Sequence, residues 1–190
     1  MCGFICLVKK ENKKNNFISK DLLEHRGPDF TNEINFESVS IRHWRLSIVD
    51  LSEESNQPIV KNNYIFVYNG EIYNYKNISK KYFNKTFTSD TKLFFELLTS
   101  GQIEKIKNCS GFFSYVLLNK SKMIISGGRD LLGKKPLYYF IDEDYAIFAS
   151  EESAIVKLLN SNLKINKKSL ISYLFYKSIF FGNTIFSNIK

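Results

Sequence analysis

The chain lacks any apolar run approaching the roughly 20 residues that a helix needs to cross a bilayer, which argues against a membrane protein. It also lacks the basic leader, apolar core and cleavage site of an export signal. Met1-Cys2-Gly3-Phe4-Ile5-Cys6-Leu7-Val8 passes directly into the polar stretch from Lys9 to Asn16. Cysteine is scarce and odd in number: Cys2, Cys6 and Cys109 read as reduced thiols of a cytoplasmic protein rather than a disulfide framework. Zinc-type spacing, internal repeats and low-complexity linkers are missing, and no metal site is expected. The paired glycines Gly127-Gly128 run into Arg129-Asp130 and open no helix, so they do not make a phosphate loop. No cofactor is expected in this chain.

Positive charge is plentiful, with a net +8, yet the lysines are scattered from Lys9 and Lys10 through Lys80 and Lys81 to Lys134 and Lys135. They form no basic helix and no aromatic-basic platform. Solvated surface lysine accounts for them, and no nucleic-acid partner is expected. A hydrophobic fraction of 44% with 15% aromatics over 190 residues suits a globular domain with a real core. The expected division is one domain over 1–160, followed by the opening of a second over 161–190.

Local patterns give the element order. Cys2 to Lys9 reads as a buried strand at the N-terminus. His25-Arg26-Gly27-Pro28-Asp29 is a rigid charged turn in which Arg26 and Asp29 can pair with each other. Ser38 to Leu46 alternates as a half-buried strand does and runs on through Ile48 to Leu51. Tyr64 to Tyr68 is a compact strand that the turn signal Asn69-Gly70 is expected to end. A short helix follows over Glu71 to Tyr82. A second helix starts at Thr88-Ser89-Asp90, carries Leu93, Phe94, Leu97 and Leu98 on one side, and stops at Gly101. Strands are expected over 112–118, 123–127, 136–141 and 145–149, then helices over 151–159 and 167–176. Strands and helices in such blocks indicate α+β with antiparallel sheets.

Cys2 stands where a cysteine can be both nucleophile and the carrier of its own base. A small second residue permits removal of Met1, which frees an α-amine. An α-amine titrates near ~7.7–8.0 and a thiol near ~8.5, so the amine can take the thiol proton at neutral pH. Gly3 leaves room for a substrate to approach the backbone. Equally, a cysteine here can be a small core residue of a first strand. Asn69 and Gly70 offer a side-chain amide and a backbone N–H for an oxyanion, although Asn-Gly is also a common hairpin turn. Arg45 suits an α-carboxylate, and Asp90 suits an α-ammonium or the cap of its own helix.

Together these segments resemble the glutaminase domain of glutamine-hydrolysing asparagine synthetase, a class II glutamine amidotransferase. The resemblance rests on an ordered set of stretches: Met-Cys-Gly-Phe at 1–4, His-Arg-Gly-Pro-Asp at 25–29, Arg-Leu-Ser-Ile-Val-Asp at 45–50 and Asn-Gly-Glu-Ile-Tyr-Asn at 69–74. Ser-Asp-Thr at 89–91, Gly-Phe-Phe-Ser at 111–114, Arg-Asp-Leu-Leu-Gly-Lys-Lys-Pro-Leu-Tyr-Tyr at 129–139 and Ala-Ser-Glu at 149–151 complete it. It implies an αββα sandwich of the N-terminal nucleophile hydrolase type, two antiparallel sheets flanked by helices. It implies Cys2 as nucleophile and Asn69 with Gly70 as oxyanion hole. Glutamine is then held by Arg45, Leu46, Ile48, Val49, Glu71 and Asp90, with Leu46, Ile48 and Val49 acting through backbone groups. Cys6 departs from the small residue, often Gly, that the family has there. The ATP- and Mg²⁺-using synthetase domain that follows in the family is missing from this sequence, and the apolar tail over 161–190 is expected to meet such a domain or subunit. A partner-dependent ammonia donor and a degenerate fragment are the other readings.

Overall fold

The computed structural model describes residues 1–10, 18–47, 52–160, 163–180 and 182–190. Its strands in chain order are β1 (Gly3–Lys9), β2 (Phe30–Phe36), β3 (Val39–Arg45), β4 (Ile59–Lys61), β5 (Tyr64–Ile72), β6 (Gly111–Asn119), β7 (Ile124–Arg129), β8 (Tyr138–Ile141) and β9 (Tyr145–Ala149). The helices are α1 (Tyr75–Phe83), α2 (Asp90–Thr99), α3 (Glu152–Leu159) and α4 (Lys167–Tyr176). None is long and apolar enough to cross a membrane.

β1 shows why layers form on both sides of it. It is apolar or glycine up to its final lysine and is buried along nearly all its length. Strand side chains alternate between faces. Phe4 and Cys6 therefore join Val39, Ile41, Val67 and Val116 in one cluster, while Ile5 and Leu7 join Trp44, Ala149 and Ile155 in another. The first cluster lies between two antiparallel sheets, ordered β2-β3-β1-β9-β8 and β4-β5-β6-β7. The second is the seat of α3 on the outer face of the five-stranded sheet. On the far side, Phe94 and Phe95 of α2 pack against Phe66, Tyr68 and Tyr115. The architecture is the expected αββα sandwich.

Cys6 is fully buried in the inter-sheet cluster, and burial pushes its thiol up to about 12. It packs there as a small apolar residue. Ser89 caps α2 by accepting from the Lys92 N–H at 3.3 Å, as its position predicts. The final residues return to the five-stranded sheet: Ile189 is fully buried, and Tyr139 and Lys190 exchange backbone hydrogen bonds at 2.8 and 3.0 Å. By contrast α4 exposes Ile171, Leu174, Phe175 and Tyr176.

The structure corrects several sequence expectations. Asn69-Gly70 is no turn. β5 runs through it to Ile72, with Asn69 opposite Ser114 and Gly70 opposite Phe113 on β6. The following helix accordingly begins at Tyr75, not Glu71. β2 and β4 were not anticipated. β2 (Phe-Thr-Asn-Glu-Ile-Asn-Phe) is an edge strand whose polar residues hide its period, and β4 has three residues. Continuation of β3 through 48–51 falls outside the described residues.

His43 sits fully buried on the inter-sheet face of β3. Burial pushes its pKa down to about 3, with the Arg45 charge adding to this and a hydrogen bond to the Tyr68 carbonyl opposing it. An unfolded chain takes up this proton near 6.5 and the folded chain only near 3. The group's contribution to stability is therefore complete above pH 6.5 and declines as pH falls from there towards 3, by up to about 1.4 kcal/mol per pH unit. Denaturant titrations across this window should show a shallower loss of stability in His43→Gln than in the parent. Equal slopes would contradict the burial of a neutral imidazole.

Candidate functional site

At one end of the sandwich the apolar inter-sheet layer gives way to polar groups. The start of β1, the ends of β3 and β5 and the start of α2 converge there on a pocket. It is lined by Cys2, Arg45, Leu46, Asn69, Gly70, Glu71 and Asp90, together with Met1, Ser55, Gln57, Tyr68 and Lys135. Every sequence-designated site residue within the described chain is in that wall. Ile48 and Val49 lie outside the described residues.

Cys2 immediately precedes β1 and is half-buried. The Leu46 N–H donates to its Sγ at 3.4 Å, and the thiol reaches the Leu46 carbonyl at 3.6 Å. The Cys2 carbonyl accepts from Arg26 Nε at 3.0 Å, and Arg26 Nη1 donates to Glu151 at 3.0 Å. Burial raises the Glu151 carboxyl, but hydrogen bonds from His25 and Arg26 outweigh it and hold the group below its ordinary range. Arg26 thus ties the Cys2 backbone to the start of α3. It does not pair with Asp29, as the sequence suggested. Asp29 instead accepts from the Ser47 N–H at 2.7 Å, which fastens the 25–29 turn to the end of β3. Gly27 makes that approach possible, because a Cβ there would lie 2.5 Å from the Trp44 backbone. Gly3 has a different use from the one expected: the space its side chain would need is taken by Arg26 and Leu23, not left for substrate.

Asn69 is 2% exposed, and its Nδ2 has no hydrogen-bond partner among the described residues. Such an orphaned amide is uncommon in a folded interior. Gly70 is required sterically: a Cβ would fall 2.6 Å from the Tyr68 ring and 2.7 Å from the Phe112 carbonyl oxygen. The Tyr68 ring lies across Gly70 and donates its hydroxyl to Asp90 Oδ2 at 3.1 Å, and the Ile72 N–H donates to the same oxygen at 3.0 Å. Ser89 supplies the cap of α2, and one Asp90 oxygen is thus taken by Tyr68 and Ile72. Burial pushes its carboxyl above the ordinary range despite these donors. A cation beside it would restore the charged form. Arg45 is 6% exposed, its Nη1 donating to the Ser52 carbonyl at 2.9 Å and to Asn56 Oδ1 at 2.5 Å.

Several wall residues were not designated as site residues from the sequence. Gln57 accepts from the Tyr68 N–H at 2.6 Å, Tyr68 steadies Asp90, and Lys135 enters from the loop over 130–137. Asp130 shapes that loop by accepting from the Phe113, Lys134 and Lys135 N–H groups. Local patterns cannot reveal partners drawn from separate loops.

A model of the glutamine amidotransferase domain matches residues 1–190. Asparagine synthetase (glutamine-hydrolyzing) 1 of Bacillus subtilis is 30% identical over 203 aligned residues, covering 100% of this chain and 32% of that protein. Asparagine synthetase (glutamine-hydrolyzing) of Rattus norvegicus is 31% identical over 171 residues, covering 85% of this chain and 30% of that protein. The chain spans about a third of the length of these curated relatives. Among solved structures, the glutamine phosphoribosylpyrophosphate amidotransferase from B. subtilis superposes with a TM-score of 0.66 at 17% identity, over 86% of this chain and 45% of that one. That likeness concerns the fold. The chain belongs to the glutamine amidotransferase domain family.

Proposed function

We propose that the chain hydrolyses glutamine to glutamate and ammonia, as the glutaminase part of an asparagine synthase. The observation that carries the reading is the buried Asn69 side chain, whose Nδ2 has no partner among the described residues and which lines the same pocket as Cys2. Once Met1 is removed, the Cys2 α-amine takes the thiol proton and Sγ attacks the side-chain amide carbon. Asn69 Nδ2–H and the Gly70 N–H hold the oxygen as it becomes negative. The tetrahedral adduct collapses, and the ammonium of Cys2 gives its proton to the departing nitrogen, which leaves as ammonia. Water then attacks the thioester while the amine takes its proton, and glutamate departs with the thiol restored.

Arg45 and Asp90 are the groups for the substrate's α-carboxylate and α-ammonium, with Leu46 and Glu71 beside them. The buried carboxyl of Asp90, raised by desolvation, gains most from a cation. Capping either end of glutamine should thus lower kcat/KM by roughly 10- to 100-fold, since an unpaired buried charge costs ~1–3 kcal/mol or more. Steady-state assays of glutamine, N-acetylglutamine and glutamine α-amide would check this, and comparable rates for all three would rule it out.

The exposed apolar side chains of α4 support a synthetase domain or a separate synthetase subunit as the neighbour that receives the ammonia. ATP and Mg²⁺ would belong to that partner. On this reading 161–190 is the approach to it, and the compartment is the cytoplasm.

A further inference from the structure

We propose that His43 is a positioning residue for the oxyanion site: its Nε2–H, reaching from one sheet to the other, holds the peptide that joins Tyr68 to Asn69. The inference rests on the proposed role of Asn69 as oxyanion donor and adds a residue to it. β4 pairs with β5 only from Tyr64 to Phe66. In an antiparallel strand the N–H and C=O of one residue point to the same side. Tyr68 therefore turns both its backbone groups to a side where no strand accompanies it, and side chains take over. Gln57 Oε1 accepts from its N–H at 2.6 Å, and His43 Nε2 lies 3.3 Å from its carbonyl oxygen.

That carbonyl belongs to the same peptide unit as the Asn69 nitrogen, so His43 helps to set the plane from which the Asn69 side chain projects. A carbonyl can only accept, so the proton must be on Nε2. Nδ1 is then the bare nitrogen, and it has no partner among the described residues. The ring is fully buried and stays neutral. His43 is one residue removed from Arg45 along the same strand face, and its contact is with the facing sheet. Its effect on chemistry passes through Asn69; it does not line the pocket.

The test compares two amide replacements in the full chain. In His43→Gln the terminal amide sits about where Nε2 does and can still donate to Tyr68. In His43→Asn it ends about where Nδ1 does and falls short. Displacement of a catalytic group by about 1 Å is enough to cost up to ~10²-fold. The expected result is a kcat for His43→Asn lowered roughly 10- to 100-fold with KM within about threefold, and a His43→Gln kcat within about threefold of the parent. In an Asn69→Ala background neither replacement should lower kcat further, because residues acting as a unit are not additive. Parent-like kcat in His43→Asn, a loss confined to KM, or losses that multiply with that of Asn69→Ala would overturn the positioning role. Parent-like turnover by Asn69→Ala would remove the oxyanion reading and the positioning role with it. Loss in Asn69→Ala with unaffected His43→Asn would remove the positioning role alone. Should His43→Asn not fold, a folded His43→Gln that loses tenfold or more in kcat decides against an Nε2–H donor.

Discussion

Replacing Cys2 by alanine is expected to abolish glutamine turnover, lowering kcat by roughly 10³-fold or more, while the fold melts as the parent does. The reason is the distribution of sulfur. Cys6 is sealed between the sheets with its thiol pushed up to about 12. Cys109 is partly buried and pushed up to about 11, and it packs among the residues under α1 and α2 rather than in the pocket. Cys2 is the cysteine that lines the pocket, and its Sγ touches Leu46 on the wall where Arg45 also stands. Removing the thiol deletes two weak hydrogen bonds with the Leu46 backbone at a half-buried position, which is a small structural loss. Cys2→Ser should also fail, because a hydroxyl keeps its proton far more strongly than a thiol when the base is an amine. Parent-like hydrolysis by Cys2→Ala, measured as glutamate released, would refute a covalent mechanism at this residue.

Asn69→Ala should lower kcat by roughly 10²- to 10³-fold with little change in KM. Its effect on stability should have the opposite sense to that of an ordinary buried polar deletion. Losing a satisfied hydrogen bond usually costs about 1 kcal/mol, whereas Asn69 Nδ2 has no partner to lose among the described residues. The alanine variant should therefore melt at or slightly above the parent's temperature. Such a split between activity and stability marks a donor kept for a transient oxyanion rather than for the fold. A variant that lost both together would place Asn69 in the framework. Thermal melts and glutamine kinetics on the same preparation separate the two.

The split between what the sequence revealed and what it hid follows the range of each interaction. β1, β9 and α4 were legible because their signals are local: an unbroken apolar run, a short aromatic and apolar stretch at 145–149, and helical patterning over 167–176. The ordered motifs brought Cys2, Arg45, Asn69 and Asp90 into one site before any contact was visible. Asn69-Gly70 misled, because its local preference for a turn was overridden by nine residues of pairing with β6. Gly70 is glycine for a reason no window can show, the Tyr68 ring lying across it. Arg26 found Glu151, 125 positions away, rather than Asp29 three residues along. His43 looked like one more polar residue in an alternating strand, and its role depends on where the other sheet's partner strand stops.

The most direct test of an N-terminal nucleophile is to follow activity against the N-terminus itself. Met1 lines the pocket beside Cys2, and while it is attached the Cys2 nitrogen is a peptide amide that cannot take a proton from sulfur. Preparations differing in Met1 removal, quantified by intact mass, should produce glutamate from glutamine in proportion to the fraction that begins at Cys2. The fraction retaining Met1 should contribute essentially nothing. Equal specific activity in chains that keep Met1 and chains that have lost it would contradict the account.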